Sequence, residues 1–406
     1  MNVADILSSG MPTRKLGAMA SRVQDVGHAG EEPLSVFLER GVVRRSDTEG
    51  NHNVLGADLA KYQLVQPGDL VFNRLRTWQG GFGASGYRGI VSPAYIVLRP
   101  RDADARFLQY VLLSRPYLAE LTRLSKWMPP SQFDILWADL KTIELPCPTL
   151  TEQRRIADFL DDRVARIDQI IAARRLQRAL AFEALRAELE TRLWPQRESV
   201  PLKTLVADVT SGPRGWGDLV CEEGAEFVRI TNLRPLGIEL DRTNLLHVAP
   251  PPGAEATRSR LETGDVLLSI TAVFGEVSVW RGGTGAFSQH VARIRPLNRR
   301  DSDWIAWVLQ CHSLHDQYAL SGYGGTKAGM GLEQVRSLAV PRVAAEERRR
   351  VGESLNALWA TYQTGLDGLN GSMAALAEYK QSLITAAVTG EFDVTTASTK
   401  IPGEHA

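Results

Sequence analysis

The chain has 406 residues, 44% apolar and 23% charged, with 47 basic and 47 acidic side chains and a formal net charge of zero. That length predicts two to three domains, and the composition is that of a soluble globular chain; the neutral balance argues against a generic basic coat protein for nucleic acid, while leaving room for local basic patches. No stretch approaches the roughly 18 continuous apolar residues of a membrane span, "MNVADILSSG" lacks the pattern of a secretory signal, and three unpatterned cysteines (Cys147, Cys221, Cys311) fit a reducing, cytoplasmic setting.

From residue 13 to 148 the pattern is irregular and β-rich. Leu70–Phe72 and Ile96–Leu98 are short apolar runs bounded by Gly, Pro and Asp, and these predict strands and turns. Residues 105–124 show helical spacing. Next comes "LPCPTLTEQRRIADFL" (145–160), which opens a long amphipathic pattern. Ile156, Leu160, Val164, Ile167, Ile171, Leu185 and Leu189 recur largely at three and four and predict a helix over 149–195. Thr149 or Thr151 can cap it, Glu152 suits its positive end, and Pro195 stops it.

Residues 196–342 then repeat the first region. "QPGDLVFNR" (66–74) matches "ETGDVLLSI" (262–270), and "VSPAYIVLRP" (91–100) matches "FSQHVARIRP" (287–296), both at an offset of 196. "FLQYVLLSRPYL" (107–118) matches "WIAWVLQCHSLH" (304–315) at 197. Val266–Ile270 and Val277–Trp280 are predicted strands, and 302–320 is predicted helical. "VPRVAAEERRRVGESL" (340–355) repeats the opening phrase of the helix, with Pro341 lying 195 positions after Pro146. The second helix is predicted over 343–390. Its seam is Leu355, Leu358, Tyr362, Leu366, Leu369, Met373, Leu376, Leu383 and Ala387, and Gly390 ends it. "GEFDV" (390–394) is expected to dock on the first region as "QRESVPL" (196–202) docks on the second, with a disordered tail to 406.

The expected architecture is α+β: two pseudo-symmetric globular domains (13–148 and 196–342) joined by two long helices forming an antiparallel coiled coil. A compact domain keeps its ends close, so the chain should leave 196–342 beside the point where it entered. Each helix would be roughly 60–65 Å long. Antiparallel pairing sets Arg174, Arg175 and Arg178 opposite Gly365, Gly368 and Gly371. Glycine could there make room for arginine stems; alternatively the arginines point to solvent.

No catalytic motif survives inspection. "VSPAY" (91–95) departs from the amino-methyltransferase loop at Ala94, and "GYGGTKAG" (322–329) is not a phosphate-binding loop because Thr326 precedes Lys327. Cys311, His312 and His315 lack a zinc ligand set. What stands out is arginine, lysine, asparagine and aromatic residues on glycine-rich loops, residue types that suit phosphate contacts and base reading. The candidates in the first domain are Arg74, Arg76, Trp78, Lys126 and Trp127. In the second they are Arg214, Trp216, Arg229, Asn232, Arg234, Tyr323 and Lys327. The competing reading is a soluble surface with structural tryptophans in turns. Asp69, Asp265 and their glycines read as turn formers.

"LPCPTLTEQRRIADFLDDRVARIDQIIA" (145–172), "GGTKAGMGLEQVRSLAVPRVAAEERRR" (324–350) and "EYKQSLITAAVTGEFDV" (378–394) together resemble the specificity subunit of type I restriction–modification enzymes. The resemblance covers nearly the whole chain. It implies two target-recognition domains, each reading one half of a split, asymmetric double-stranded DNA site, with the helices fixing the gap. It also implies two docked methylation subunits that bind S-adenosylmethionine, and restriction subunits that use ATP and Mg. Those activities would lie outside this chain, which would hold no cofactor or metal itself. One departure is Glu347 set against Gln153, and another is the three glycines at 365–371. Two other classes remain open on the residues: a coiled-coil adaptor binding proteins, and a DNA methyltransferase acting alone.

Overall fold

The computed structural model describes residues 3, 6, 11–38, 40–47, 56, 58–128, 132–194, 198–321 and 329–394. The chain divides into two compact units, residues 1–173 with 371–406, and residues 174–370. Two long helices, Leu150–Leu193 and Ala345–Thr389, each contribute to both. Among the described residues no helix is long and apolar enough to cross a membrane.

In the first unit, Thr13–Lys15 pairs antiparallel with Glu144–Pro146, Thr13 opposite Pro146. An antiparallel sheet has the strand order Ala20–Val23, Tyr95–Pro100, Leu70–Asn73, Phe82–Ala84. Side chains alternate across a strand, and here both faces are buried. Leu70, Phe72, Ile96 and Leu98 enter the main core with helices Ala105–Leu113 and Arg115–Leu124. Val71 and Val97 enter a smaller cluster with Leu34, Val36 and Val91. Burial on both faces explains why these strands read as continuous apolar runs. Asp104 caps the first of the two helices by accepting from the Arg106 and Phe107 amides.

The main core of this unit also takes Ile156, Leu160, Ile167 and Ile171 from the first long helix and Leu383, Ile384 and Ala387 from the second. The two pieces run antiparallel, because Phe159 meets Phe392 at 5.6 Å while Asp168 meets Lys380 at 2.6 Å. Thr149, not Thr151, is the cap. Its amide donates to Glu152 at 3.0 Å and its hydroxyl accepts from the Glu152 amide at 3.3 Å, a complete capping box.

The second unit repeats this plan. Ser199–Pro201 pairs with Ala339–Pro341, Ser199 opposite Pro341. The sheet order is Val206–Ser211, Val291–Pro296, Val266–Ser269, Val277–Val279, again antiparallel. Val266 faces Ile294 in the register in which Leu70 faces Leu98. Helices Ser302–Val308 and His312–Ser321 cover the sheet. The core extends to Leu185, Leu189 and Leu193 of the first long helix and to Leu355, Trp359 and Leu366 of the second. Contacts from Arg192 to Ser354 and from Arg178 to Asn370 again make the pair antiparallel. A separate sheet has strand order Val220–Cys221, Leu246–Val248, Ala225–Val228, Gly285–Phe287; among the described residues of the first unit the ribbons Leu34–Phe37/Gly41–Arg44 and Gln63–Val65/Gly89–Val91 stand in that part of the chain.

Three expectations are corrected. A Cβ on Gly365, Gly368 or Gly371 would meet nothing within 4 Å, so these glycines make room for no arginine. Arg175 and Arg178 are exposed, and Arg178 reaches Asn370 instead. Second, residues 390–394 dock on the first unit by other contacts than those of 199–201 on the second. The strand position beside Glu144–Pro146 belongs to Thr13–Lys15; the Phe392 ring meets that of Phe159 at a tilt of 34° after Gly390 turns the chain at φ 77°. Pro195 and the tail 395–406 lie outside the described residues. Third, the residue in the place of Gln153 is Arg348. Gln153 Oε1 accepts from the amide of the helix cap Asp104 at 3.0 Å, and Arg348 donates to the carboxylate of the equivalent residue, Asp301, at 2.7 Å. Glu347 is instead the partner in sequence of Glu152.

Candidate nucleic-acid interface

The second unit builds a cleft of about 400 Å³ from the ends of two strands and one turn. Ala225–Val228 and Gly285–Phe287 pair in parallel, with Val228 opposite Phe287. Parallel pairing delivers their next residues, Arg229 and Ser288 to His290, to the same edge. The turn after Val206–Ser211 closes the third wall. A Cβ at Gly212 would fall 1.9 Å from the Phe287 carbonyl oxygen, so only glycine lets the backbones approach here. Trp216 forms the floor, buried against Phe227, Val248 and Ala286.

Polar groups converge on this cleft. Arg229 holds the Asn244 carbonyl through one terminal nitrogen at 3.2 Å, while its Nε is buried and has no protein partner. The buried Ser288 hydroxyl also lacks one. Gln289 Nε2 lies 3.2 Å from His290 Nε2, and Thr271 Oγ1 lies 2.9 Å from His290 Nδ1. His290 and Thr231 are exposed at the rim. A guanidinium, an amide, an imidazole and two hydroxyls on rigid strand ends can meet base edges or phosphate oxygens.

Of the candidates in this unit, Arg229 and Trp216 line the cleft, and Arg214 is exposed on its turn. Asn232 does not serve as a base reader. It is 1% exposed, its oxygen accepts from the Arg229 amide, and its nitrogen donates to the Asp241 carbonyl. It therefore shapes the turn that presents Arg229. Arg234 is exposed and forms an ion pair with Asp241, away from the cleft lining. Tyr323 and Lys327 lie outside the described residues. Gln289 and His290 also line the cleft and were not among the candidates. The available signal was the repeat itself, since "FSQHV" keeps the frame of "VSPAY" while a polar pair replaces Pro93-Ala94.

In the first unit two segments meet. Arg74 is bound to Asp134 and to the Ile135 carbonyl, and Trp78 packs on Phe133 with ring centres 4.9 Å apart. Arg74 is thus a tie that seats the hairpin Lys126–Met128/Gln132–Asp134 rather than a free contact. Arg76 and Lys126 are exposed on the two segments so joined. Trp127 lies in the hairpin strand, and its side chain is outside the described residues. The two turn aspartates are indeed turn formers: Asp69 accepts from the Gln66 amide and Asp265 from the Glu262 amide, each after a glycine with φ near 90°.

The long helices also present apolar surface. Leu176 and Leu180 are 60% and 59% exposed in the second unit, where the seam lapses.

This architecture, a duplicated α+β unit with segments of two long helices in each core, defines a class of fold known among solved structures. A chain from a structure described as the "structural basis underlying complex assembly and conformational transition of the type I R-M system" matches with a TM-score of 0.72 over 95% of this chain and 99% of that one, at 18% identity. The HsdS subunit from Thermoanaerobacter tengcongensis matches at 17% identity and a TM-score of 0.49, over 95% of this chain and 98% of its own. The type I restriction-modification S subunit from M. genitalium matches at 15% and 0.40, over 94% and 97%. At such identities the likeness is one of fold. No protein-family model and no curated protein matches the chain.

Proposed function

We propose that this chain is the DNA sequence-recognition subunit of a type I restriction–modification complex. Each unit reads one half of a bipartite, asymmetric site. The observation that carries the reading is the pair of sheets with the same strand order and register whose adjoining loops hold unlike polar residues. A homodimer imposes its two-fold symmetry on DNA and reads a palindrome; a duplicated chain with divergent loops reads two different half-sites. The nearly full-length likeness in fold to a type I chain supports it.

In this reading the chain is not catalytic and works in the cytoplasm. The chemistry belongs to partners: two methylation subunits carrying S-adenosylmethionine, and restriction subunits using ATP and Mg. The exposed Leu176 and Leu180, beside Arg174 and Arg175, suit the docking of such partners on the helices.

The test is a domain exchange read by methylome sequencing. Replacing residues 197–342 with the corresponding part of another such subunit changes one half of the methylated site and leaves the other intact. A change in both halves, or in neither, sinks the division of labour. Arg229→Ala and His290→Ala are expected to relax the half-site read by the second unit alone, each by about 1–3 kcal/mol of discrimination.

A further inference from the structure

In both units the same tight turn leads into the second strand of the antiparallel sheet. In the first, 92–95 follows Gly89–Val91 and enters Tyr95–Pro100; in the second, 288–291 follows Gly285–Phe287 and enters Val291–Pro296. The closing hydrogen bond is shared. The Tyr95 amide donates to the Ser92 carbonyl at 3.0 Å, and the Val291 amide to the Ser288 carbonyl at 3.1 Å. The setting is shared too, since Tyr95 pairs with Asn73 and Val291 with Ser269. The loop after Asn73, with the exposed Arg76, therefore leaves beside one turn. The loop after Ser269, whose Thr271 meets His290, leaves beside the other. What differs is the tip. The second unit carries Gln289 and His290 there, both in the lining of the candidate cleft, and the first carries Pro93 and Ala94, both exposed.

The tip of the first unit is held rigid. Pro93 stands where a turn favours proline, because its ring presets φ. The Ala94 amide donates to the Ser92 hydroxyl at 3.3 Å. From behind, Gln63, 4% exposed, donates through its side-chain amide to the Ser92 and Tyr95 carbonyls at 3.4 and 2.9 Å. The tip side chains offer neither donor nor acceptor, Pro93 has no amide hydrogen, and that of Ala94 is taken. In the major groove a base edge is met by hydrogen bonds or, at thymine alone, through an apolar group, the C5 methyl. Side chains without hydrogen-bonding groups can select only by the second route.

We propose that Pro93-Ala94 is a specificity determinant of the first unit and reads the C5 methyl group of one thymine, at the place where the second unit presents Gln289-His290. The inference rests on the reading of the chain as a DNA-recognition subunit and adds the chemistry that one turn selects. Because the turn is already held, covering the methyl orders little further protein, so the contact keeps most of its worth. The same frame then serves two unlike half-sites by exchange of two residues at its tip.

The test uses the full chain assembled with its methylation partners, after methylome sequencing and the domain exchange have assigned a half-site to the first unit. Competition binding compares duplexes in which each thymine of that half, on either strand, is replaced singly by uracil. Uracil keeps every hydrogen-bonding group of thymine and lacks only the methyl. A loss of about fourfold is expected at one position, the worth of one buried methyl group. The double variant Pro93→Gly/Ala94→Gly should bind the thymine and uracil duplexes alike while its circular dichroism stays native. Absence of thymine from that half, equal binding of every uracil duplex to the natural complex, or an undiminished uracil effect in the folded double variant would each overturn the proposal; the first two need no variant to fold. A complex that methylates no bipartite site would sink the functional reading itself, and this inference with it.

Discussion

The two units hold the long helices through equivalent positions of unlike chemistry. In the first, Tyr110 donates to Asp161 at 2.7 Å, and Arg106 binds Asp161 and Asp158. In the second, Trp307 stands for Tyr110 and Asn356 for Asp161, and the indole donates to the amide oxygen at 2.8 Å. Asn356 then donates to Asp303 at 2.7 Å. The second unit adds an aromatic anchor. Trp359 lies against Gly237, whose φ of 95° and lack of a Cβ admit the ring; Trp359 donates to Glu239 at 2.9 Å and meets Trp307 edge-on at 6.2 Å. What the duplication keeps is where a donor of the globular part meets an acceptor on the helix. Charge and size are free to change, because a part-buried polar pair needs only to be satisfied.

Breaking the aromatic anchor should have the largest effect. Trp359→Ala is expected to cost the second unit about 3–5 kcal/mol. Hydrogen exchange should show lost protection in 198–321 and unchanged protection in 58–128; equal losses would refute separate anchoring. Arg348→Met comes next, because it leaves the Asp301 carboxylate buried without its cation, at about 3 kcal/mol. The counterpart Gln153→Met frees one amide and one carbonyl, at about 1–2 kcal/mol. Urea denaturation compares the pair, and equal losses would mean that charge does not set the difference. The smallest effect is at the helix starts. Thr149→Ala should lose about 1 kcal/mol, and Ala344→Thr should gain up to about that amount, since the second helix starts without a capping hydroxyl. A gain absent from the thermal melt of Ala344→Thr would show that Arg348, donating to the Val343 carbonyl, already fixes that end.

Much of the fold was legible. The strands at 70 and 266 and at 96 and 291 announced themselves as apolar runs between glycine, aspartate and proline, because period and turn chemistry are local properties. The helices were legible from their seams. The candidate cleft was legible only in part, and not where it lay on the repeated frame. Arg229 and Trp216, singled out by residue type, line the cleft; Gln289 and His290 line it too but were not singled out, because nothing local distinguishes a polar pair after a strand from a surface turn. Asn232 misled for the opposite reason. Its residue type suits adenine, yet two backbone groups, the Arg229 amide and the Asp241 carbonyl, already satisfy it.

The sequence by itself determined that one fold unit occurs twice, that a long amphipathic helix follows each copy, and that two prolines mark the junctions. These follow from spacing, which duplication preserves even as side chains drift. Only the tertiary structure decided that Arg348 answers to Gln153 and that Thr13–Lys15 fills the strand place beside Pro146. Each of these is a contact between residues far apart in the chain. Such pairings depend on which donor can reach which buried acceptor, and that is settled by packing geometry rather than by local pattern.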